Sequence, residues 1–287
     1  MKNLSLIAAT SSVLIVVAGL ATSPAVEKPI CTDLNGQRYP AIWGDRIIWM
    51  DVRNGNWDIH MYDLTTGEKN RITTGLNSQR YPAISGNRIV WADPHNGNWD
   101  IYMYDLATGT ETPICADPSF QTHPAISGDT IVWEDYRNGN ADIYMYDLST
   151  DKEIPICTDP NYQEDPAISG ARIAWMDFRN GNWDIYMYDL ATEAEIAICT
   201  APYSQCYPAI SGDRIVWADP RSGTWDIYMY DLSTGTETQI TTGLNSQRYP
   251  AISGNRIVWE DYRNGNADIY MYDLSADDEL PIFTDPN

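Results

Sequence analysis

The sequence predicts an all-β fold, a six-bladed β-propeller of four-stranded antiparallel blades. Three observations predict it. The tripeptide Pro-Ala-Ile starts at Pro40, Pro82, Pro124, Pro166, Pro208 and Pro250, every interval being 42 residues without insertion or deletion. Each repeat holds four strand-like runs separated by turn residues, and no segment of helical period and useful length follows the N-terminal stretch. No repeat has the polar outer face of a solenoid cap. Six near-identical units suit a closed ring, where each has two neighbours and no lateral edge is exposed.

The elements follow in order. Lys2, the apolar run Leu4 to Leu20 and the small residues ATSPA read as a secretory signal peptide over 1–25, with cleavage after Ala21 or Ala25. The rival reading is a retained N-terminal membrane anchor, for which about 17 residues is at the short end. Residues 26–287 form the propeller. Lys28 to Thr32, KPICT, resembles a fourth strand ahead of blade 1, yet blade 6 carries its own at 280–284. One slot cannot hold both. An extra strand outside blade 6, a displaced copy, and descent from a longer array all stay open.

Blade 6 shows the internal pattern. Its first strand starts at Pro250, and RIVWE (256–260) alternates in character. Arg263-Asn-Gly-Asn266 is a hairpin turn, DIYMYDL (268–274) alternates with period two, and 280–284 is the fourth strand. A coarser period pairs blades 1 and 4, 2 and 5, and 3 and 6, as in a duplicated three-blade unit; residues 134–149 and 260–275 are identical.

Repeated residues are first explained by what every blade needs. The Trp nine residues after each Pro (Trp49, Trp91, Trp133, Trp175, Trp217, Trp259) reads as core filling. Another Trp sits in the hairpin turn of four blades, Trp57, Trp99, Trp183 and Trp225, where ligand contact is an alternative to packing. Three Asp recur per blade, as in Asp51, Asp58 and Asp63. Asp51 and Asp58 face each other across the hairpin and repel unless satisfied. Turn N–H groups and the turn's Arg are the expected partners. Calcium is the alternative, but the spacing does not match an EF-hand loop, so no cofactor and no metal site is expected. Cys31, Cys115, Cys157 and Cys199 share one phase and read as small buried residues. Cys206 breaks phase, which leaves a Cys199–Cys206 bridge open.

Composition limits the function. With 40 Asp+Glu against 18 Lys+Arg the net charge is -22. That excludes a nucleic-acid partner, which needs Lys/Arg to displace counterions, and an anionic membrane surface. Eighteen of the 40 acids are the three repeated Asp in six blades, so much of this charge is blade chemistry multiplied by six.

The run PAISGDRIVW (208–217) followed by DIYMYDLSTGTETQIT (226–241) resembles the repeat of TolB-like propellers, and more narrowly the propeller repeats of archaeal cell-surface and surface-layer proteins. The resemblance covers about 28 to the end. It implies a secreted, extracytoplasmic scaffold or adhesion module without known catalytic residues. TolB carries an α/β domain ahead of its propeller, for which there is no room between the signal and blade 1.

Function is expected where the symmetry breaks. The connection between blades opens on the same face as the hairpin turns. Each ends in a Gln three residues before the Pro, read as structural, then two variable residues: Arg38-Tyr39, Arg80-Tyr81, Thr122-His123, Glu164-Asp165, Cys206-Tyr207 and Arg248-Tyr249. Arg–Tyr pairs suit carboxylates, sulfates or sugars, through forked hydrogen bonds and stacking. Arg38, Tyr39, Arg80, Tyr81, His123, Glu164, Asp165, Arg248 and Tyr249 are therefore the candidate binding residues. No Gly-x-Ser-x-Gly, His-Glu-x-x-His or phosphate loop occurs, so no catalytic residue is assigned. The expected function is a non-catalytic module for a cell-surface protein or glycan. The alternatives are a polysaccharide hydrolase or lyase using His123 with Glu164 and Asp165, and a periplasmic TolB-like interaction protein.

Overall fold

The computed structural model describes residues 29–283 apart from Leu34, Asn54 and Asn96, together with the backbone of a short hairpin, Ile7–Ala9 with Ser12–Leu14. Apart from that hairpin, the signal-peptide reading of 1–25 lies outside the described residues. No helix occurs among the described residues. The chain divides into two compact units, 1–131 and 132–287, the division falling inside the third blade.

Six four-stranded sheets form, each pairing its strands in sequence order, and together they make a six-bladed propeller. The first strands are Gln37–Trp43, Arg80–Ser85, Gln121–Ser127, Gln163–Ser169, Cys206–Ser211 and Gln247–Ser253. The second are Arg46–Asp51, Arg88–Asp93, Thr130–Asp135, Arg172–Asp177, Arg214–Asp219 and Arg256–Asp261. The third run Asp58–Asp63, Asp100–Asp105, Asp142–Asp147, Asp184–Asp189, Asp226–Asp231 and Asp268–Asp273. The fourth are Lys69–Arg71, Thr110–Cys115, Lys152–Cys157, Ala194–Cys199, Thr236–Gln239 and Asp278–Phe283.

Second and third strands pair without interruption, so the alternating IVW and IYMY residues meet across the hairpin. All six repeated Trp are fully buried, as expected of core. Their indole Nε1 also donates to the Asp ending the same strand, at 2.9 Å for Trp133–Asp135 and 3.0 Å for Trp175–Asp177. The hairpin is a six-residue loop rather than a two-residue Asn-Gly turn. In blade 4 it is closed by Gly181 N–H donating to Phe178 C=O at 3.1 Å, with Gly181 alone at positive φ, 89°.

Neighbouring blades are tied by the Arg that opens the second strand. Arg88 reaches Gly128 O at 3.0 Å and Asp129 Oδ1 at 2.6 Å; Arg214 reaches Gly254 O at 3.3 Å and Asn255 Oδ1 at 2.7 Å. The Ser closing the first strand helps, since Ser169 Oγ accepts Gly212 N–H and Ser211 Oγ accepts Gly254 N–H, both at 3.1 Å.

Two expectations need correcting. Most first strands begin up to three residues before the Pro, so the variable pair lies in a strand and not in a loop. Residues 29–33 are not in a strand. They nevertheless take a fourth strand's place against blade 1: Ile30 packs on Ile47 and Trp49, and Arg53 Nη2 donates to Cys31 Sγ at 3.6 Å. Arg179 Nη2 reaches Cys157 in the same way at 3.2 Å, and Arg221 Nη2 reaches Cys199 at 2.8 Å. This phase is thus a sulfur acceptor for a guanidinium and not merely a small apolar filler. Cys199 and Cys206 are both unbridged thiols.

Candidate binding site

The variable pair sits on a β-bulge. In blade 1 Arg38 pairs with Met50, then the register shifts and Ala41 pairs with Ile48. The same shift occurs in blades 2, 4, 5 and 6. A bulge re-aims a side chain. The residue before each Pro adopts left-handed φ: Tyr39 51°, Tyr81 53°, His123 47°, Asp165 51°, Tyr207 60° and Tyr249 52°. A residue before Pro ordinarily prefers extended backbone, so the conformation is strained by about 1 kcal/mol or more per site. Because all six blades carry it, the strain belongs to the blade, and only side-chain identity distinguishes one position from another.

In unit 1 the bulges bring three candidates into one row. Tyr39 and Tyr81 meet edge to face at 5.0 Å, and the tilted rings of Tyr81 and His123 lie 3.9 Å apart. Tyr39 remains half exposed. Arg38 lies over the Trp57 ring at 5.6 Å and Arg80 over Trp99 at 5.0 Å. Trp57 and Trp99 are therefore half-buried platforms under arginines and not bare ligand surfaces. A guanidinium held over an aromatic face by cation–π attraction keeps N–H donors for forked hydrogen bonds.

In unit 2 the tilted rings of Tyr207 and Tyr249 lie 4.4 Å apart, and Arg248 lies over Trp225 at 4.7 Å. Burial raises the Tyr207 hydroxyl above its ordinary value, and the hydrogen bond with Tyr249 adds to this. Arg248 Nε is buried without a partner. Glu164 and Asp165 are half-buried on blade 4, and the Asp165 backbone N–H donates to Glu134 Oε1 at 2.8 Å.

Hairpin and connection share one face, as expected, because the turn's last Asn grips the connection. Asn98 Nδ2 donates to Asp117 O at 2.8 Å and Ser119 O at 2.9 Å. The repeated Gln is buried beneath and structural: Gln79 Nε2 donates to Asn77 O, and Thr73 Oγ1 donates to Gln79 Oε1, at 2.7 and 2.8 Å.

Outside blade 2, the repeated Asp are held by protein groups. Asp177 accepts Arg179 N–H and Nε at 2.9 Å and Nη2 at 2.6 Å. Opposite it, Asp184 accepts Asn180 at 2.7 Å and Asn182 at 2.8 Å. Burial pushes the Asp184 carboxyl up against these hydrogen bonds, and the facing Asp177 adds to the rise. The third Asp caps its turn, as Asp63 Oδ1 accepts Thr65 N–H at 2.8 Å and Thr66 N–H at 3.0 Å. In unit 1 Cys31, Asp33 and Asp51 come close enough to share a cation. Arg53 already lies among them, 2.7 Å from Asp33 and hydrogen-bonded to Asp51.

One feature escaped the sequence reading. Trp43 stands where the other blades have Ser, is 51% exposed, and is flanked by two shallow clefts of about 260 and 360 Å³ that Gly86 and Asn87 also line. The signal was the single Trp in a column of Ser85, Ser127, Ser169, Ser211 and Ser253.

No family model matches the chain, and no curated protein sequence matches it either. Among solved structures, TolB from Acinetobacter baumannii is similar at TM-score 0.62 and 19% identity, covering 83% of this chain and 64% of that one. The chain thus spans just under two thirds of that TolB. An oligogalacturonate lyase in complex with manganese is similar at TM-score 0.62 and 13% identity, covering 83% and 74%. A prolyl endopeptidase is similar at TM-score 0.71 and 12% identity, covering 97% and 49%. These likenesses are below the identity at which function follows fold, and what they establish is that the chain has the six-bladed propeller fold seen in TolB.

Proposed function

We propose that the protein is an exported, non-catalytic binding or scaffold module that holds a cell-surface protein or glycan on its bulge-and-hairpin face. The observation that carries this reading is the row Tyr39–Tyr81–His123 with Arg38 and Arg80 lying over the Trp57 and Trp99 rings. Rigid aromatics lose little entropy on binding, and these guanidiniums offer forked donors to carboxylate, sulfate or hydroxyl groups. In the other unit Tyr207, Tyr249 and Arg248 offer the same chemistry, while Glu164 and Asp165 add acceptors. TolB, with the same propeller, supports an extracytoplasmic interaction role by analogy alone.

The test is binding of the mature protein to an immobilised panel of acidic glycans and peptides, compared with Y39A/Y81A and R38A/R80A. Retention by the wild type, with at least tenfold weaker retention by both variants at unchanged melting temperature, is expected. Equal retention by all three proteins would remove this row from the function.

A further inference from the structure

The blades provide their own comparison at the residue two places after the second strand. It is Arg in five of them: Arg53, Arg137, Arg179, Arg221 and Arg263. In blades 3 to 6 its guanidinium is held by the Asp ending the second strand and by a Glu of the fourth, with Arg179–Glu195 at 2.6 Å and Arg221–Glu237 and Arg263–Glu279 at 2.7 Å. It also lies over a Tyr ring of the third strand, 3.9 to 4.4 Å from the centroid.

Blade 2 has His95 at this position and keeps the rest of the cradle. Asp93 ends its second strand, Tyr102 occupies the third, and Glu111 pairs with Tyr104 as Glu195 pairs with Tyr188. His95 does not replace the guanidinium. It is exposed, and its ring lies 5.8 Å from that of Tyr102. Asp93 is 5% exposed, and its Oδ1 has no hydrogen-bond partner among the described residues. Its Oδ2 accepts the Trp91 indole at 3.4 Å, and the Gln79 side chain also favours the charged form. A buried carboxylate oxygen without a donor is costly and calls for an occupant. Burial pushes the carboxyls of Asp93 and Glu111 above their usual values, and Asp93 adds to the rise at Glu111. The slot reaches solvent, because the resident arginines of the other blades keep 21–33% of their side-chain exposure.

We propose that blade 2 is a receptor site for an external guanidinium, supplied by an arginine side chain of a partner protein, which enters beside His95 and completes the cradle of Asp93, Glu111 and Tyr102. The planar fork matches two carboxylates and one ring face, whereas an ammonium has neither the plane nor the fork. This site does not depend on the Tyr39–Tyr81–His123 row.

The test melts wild type, H95R and D93N at pH 7 in rising methylguanidinium chloride, with methylammonium chloride as matched salt. A further arm uses N-acetyl-arginine methylamide. The wild-type Tm should rise by about 3 °C once the probe stands tenfold above its Kd. The arginine derivative should act alike, and methylammonium should not. H95R should melt higher than wild type without any probe, and neither H95R nor D93N should gain from one. The proposal is overturned if the wild type gains nothing, gains equally from both salts, or gains no more than H95R. A gain from methylguanidinium with none from the arginine derivative overturns the assignment to a partner's arginine.

Discussion

Replacing Arg53 with alanine tests whether the repeated acids are structural. Asp51 has no exposed side-chain surface, and Arg53 keeps 25% of its own. The carboxylate accepts Arg53 N–H at 3.0 Å, Arg53 Nε at 2.9 Å and Trp49 Nε1 at 3.3 Å. Burial raises the Asp51 carboxyl, but the Arg53 side-chain and backbone hydrogen bonds and the Trp49 indole outweigh it and bring it from 3.8 to about 2. That drop corresponds to about 2 kcal/mol at neutral pH. Stranding a buried carboxylate costs about 3–5 kcal/mol where the pair is fully buried. Arg53 is partly exposed, so R53A should cost about 2–3 kcal/mol, or about 4–6 °C in Tm. The sign with pH follows from the direction of the shift. The folded group titrates below the unfolded one, so its contribution is complete above about pH 4 and is lost as pH falls toward 2. About half should remain at pH 3. Thermal unfolding followed by circular dichroism from pH 7 to pH 3 should therefore show the gap between wild type and R53A narrowing in acid. A gap under 1 °C at pH 7, or one independent of pH, would refute the reasoning.

Two further outcomes follow from the same geometry. Thr73 and Thr241 donate to Gln79 and Gln247, whereas Gln205 Oε1, beside Cys199, is buried without a partner. C199T should add about 1 kcal/mol despite losing the sulfur acceptor of Arg221; a lower urea midpoint would show that the sulfur contact matters more. Because Arg and Asn side chains and turn N–H groups satisfy the repeated Asp in the blades other than blade 2, EDTA should leave the melting temperature unchanged. A loss of several degrees would show that these carboxylates hold calcium.

Most of the fold was legible because each blade repeats one physical solution six times. The Pro-Ala-Ile phase, the buried Trp and the facing Asp51 and Asp58 could all be read from spacing. What stayed hidden depends on backbone geometry. The left-handed φ at Tyr39 and its equivalents contradicts the usual behaviour of a residue before Pro, so the pair Arg38-Tyr39 looked like loop and is in fact a bulged strand. The bond from Trp175 Nε1 to Asp177 is likewise invisible in sequence, since alternation places neighbours two apart on one face but does not aim an indole. At the site, sequence found the residues that break symmetry, but not that Arg38 and Arg80 rest on Trp57 and Trp99. His95 in place of the repeated Arg is legible in the sequence, but the cost of that change at Asp93 is visible only once burial is known.

The central claim is that the symmetry-breaking row binds and does not catalyse. A glycan and peptide array read simultaneously for retention and for turnover tests it most directly. The account predicts a retained, chemically intact ligand whose retention is lost in Y39A/Y81A. Release of cleaved product by the wild type, abolished by H123A, would contradict it.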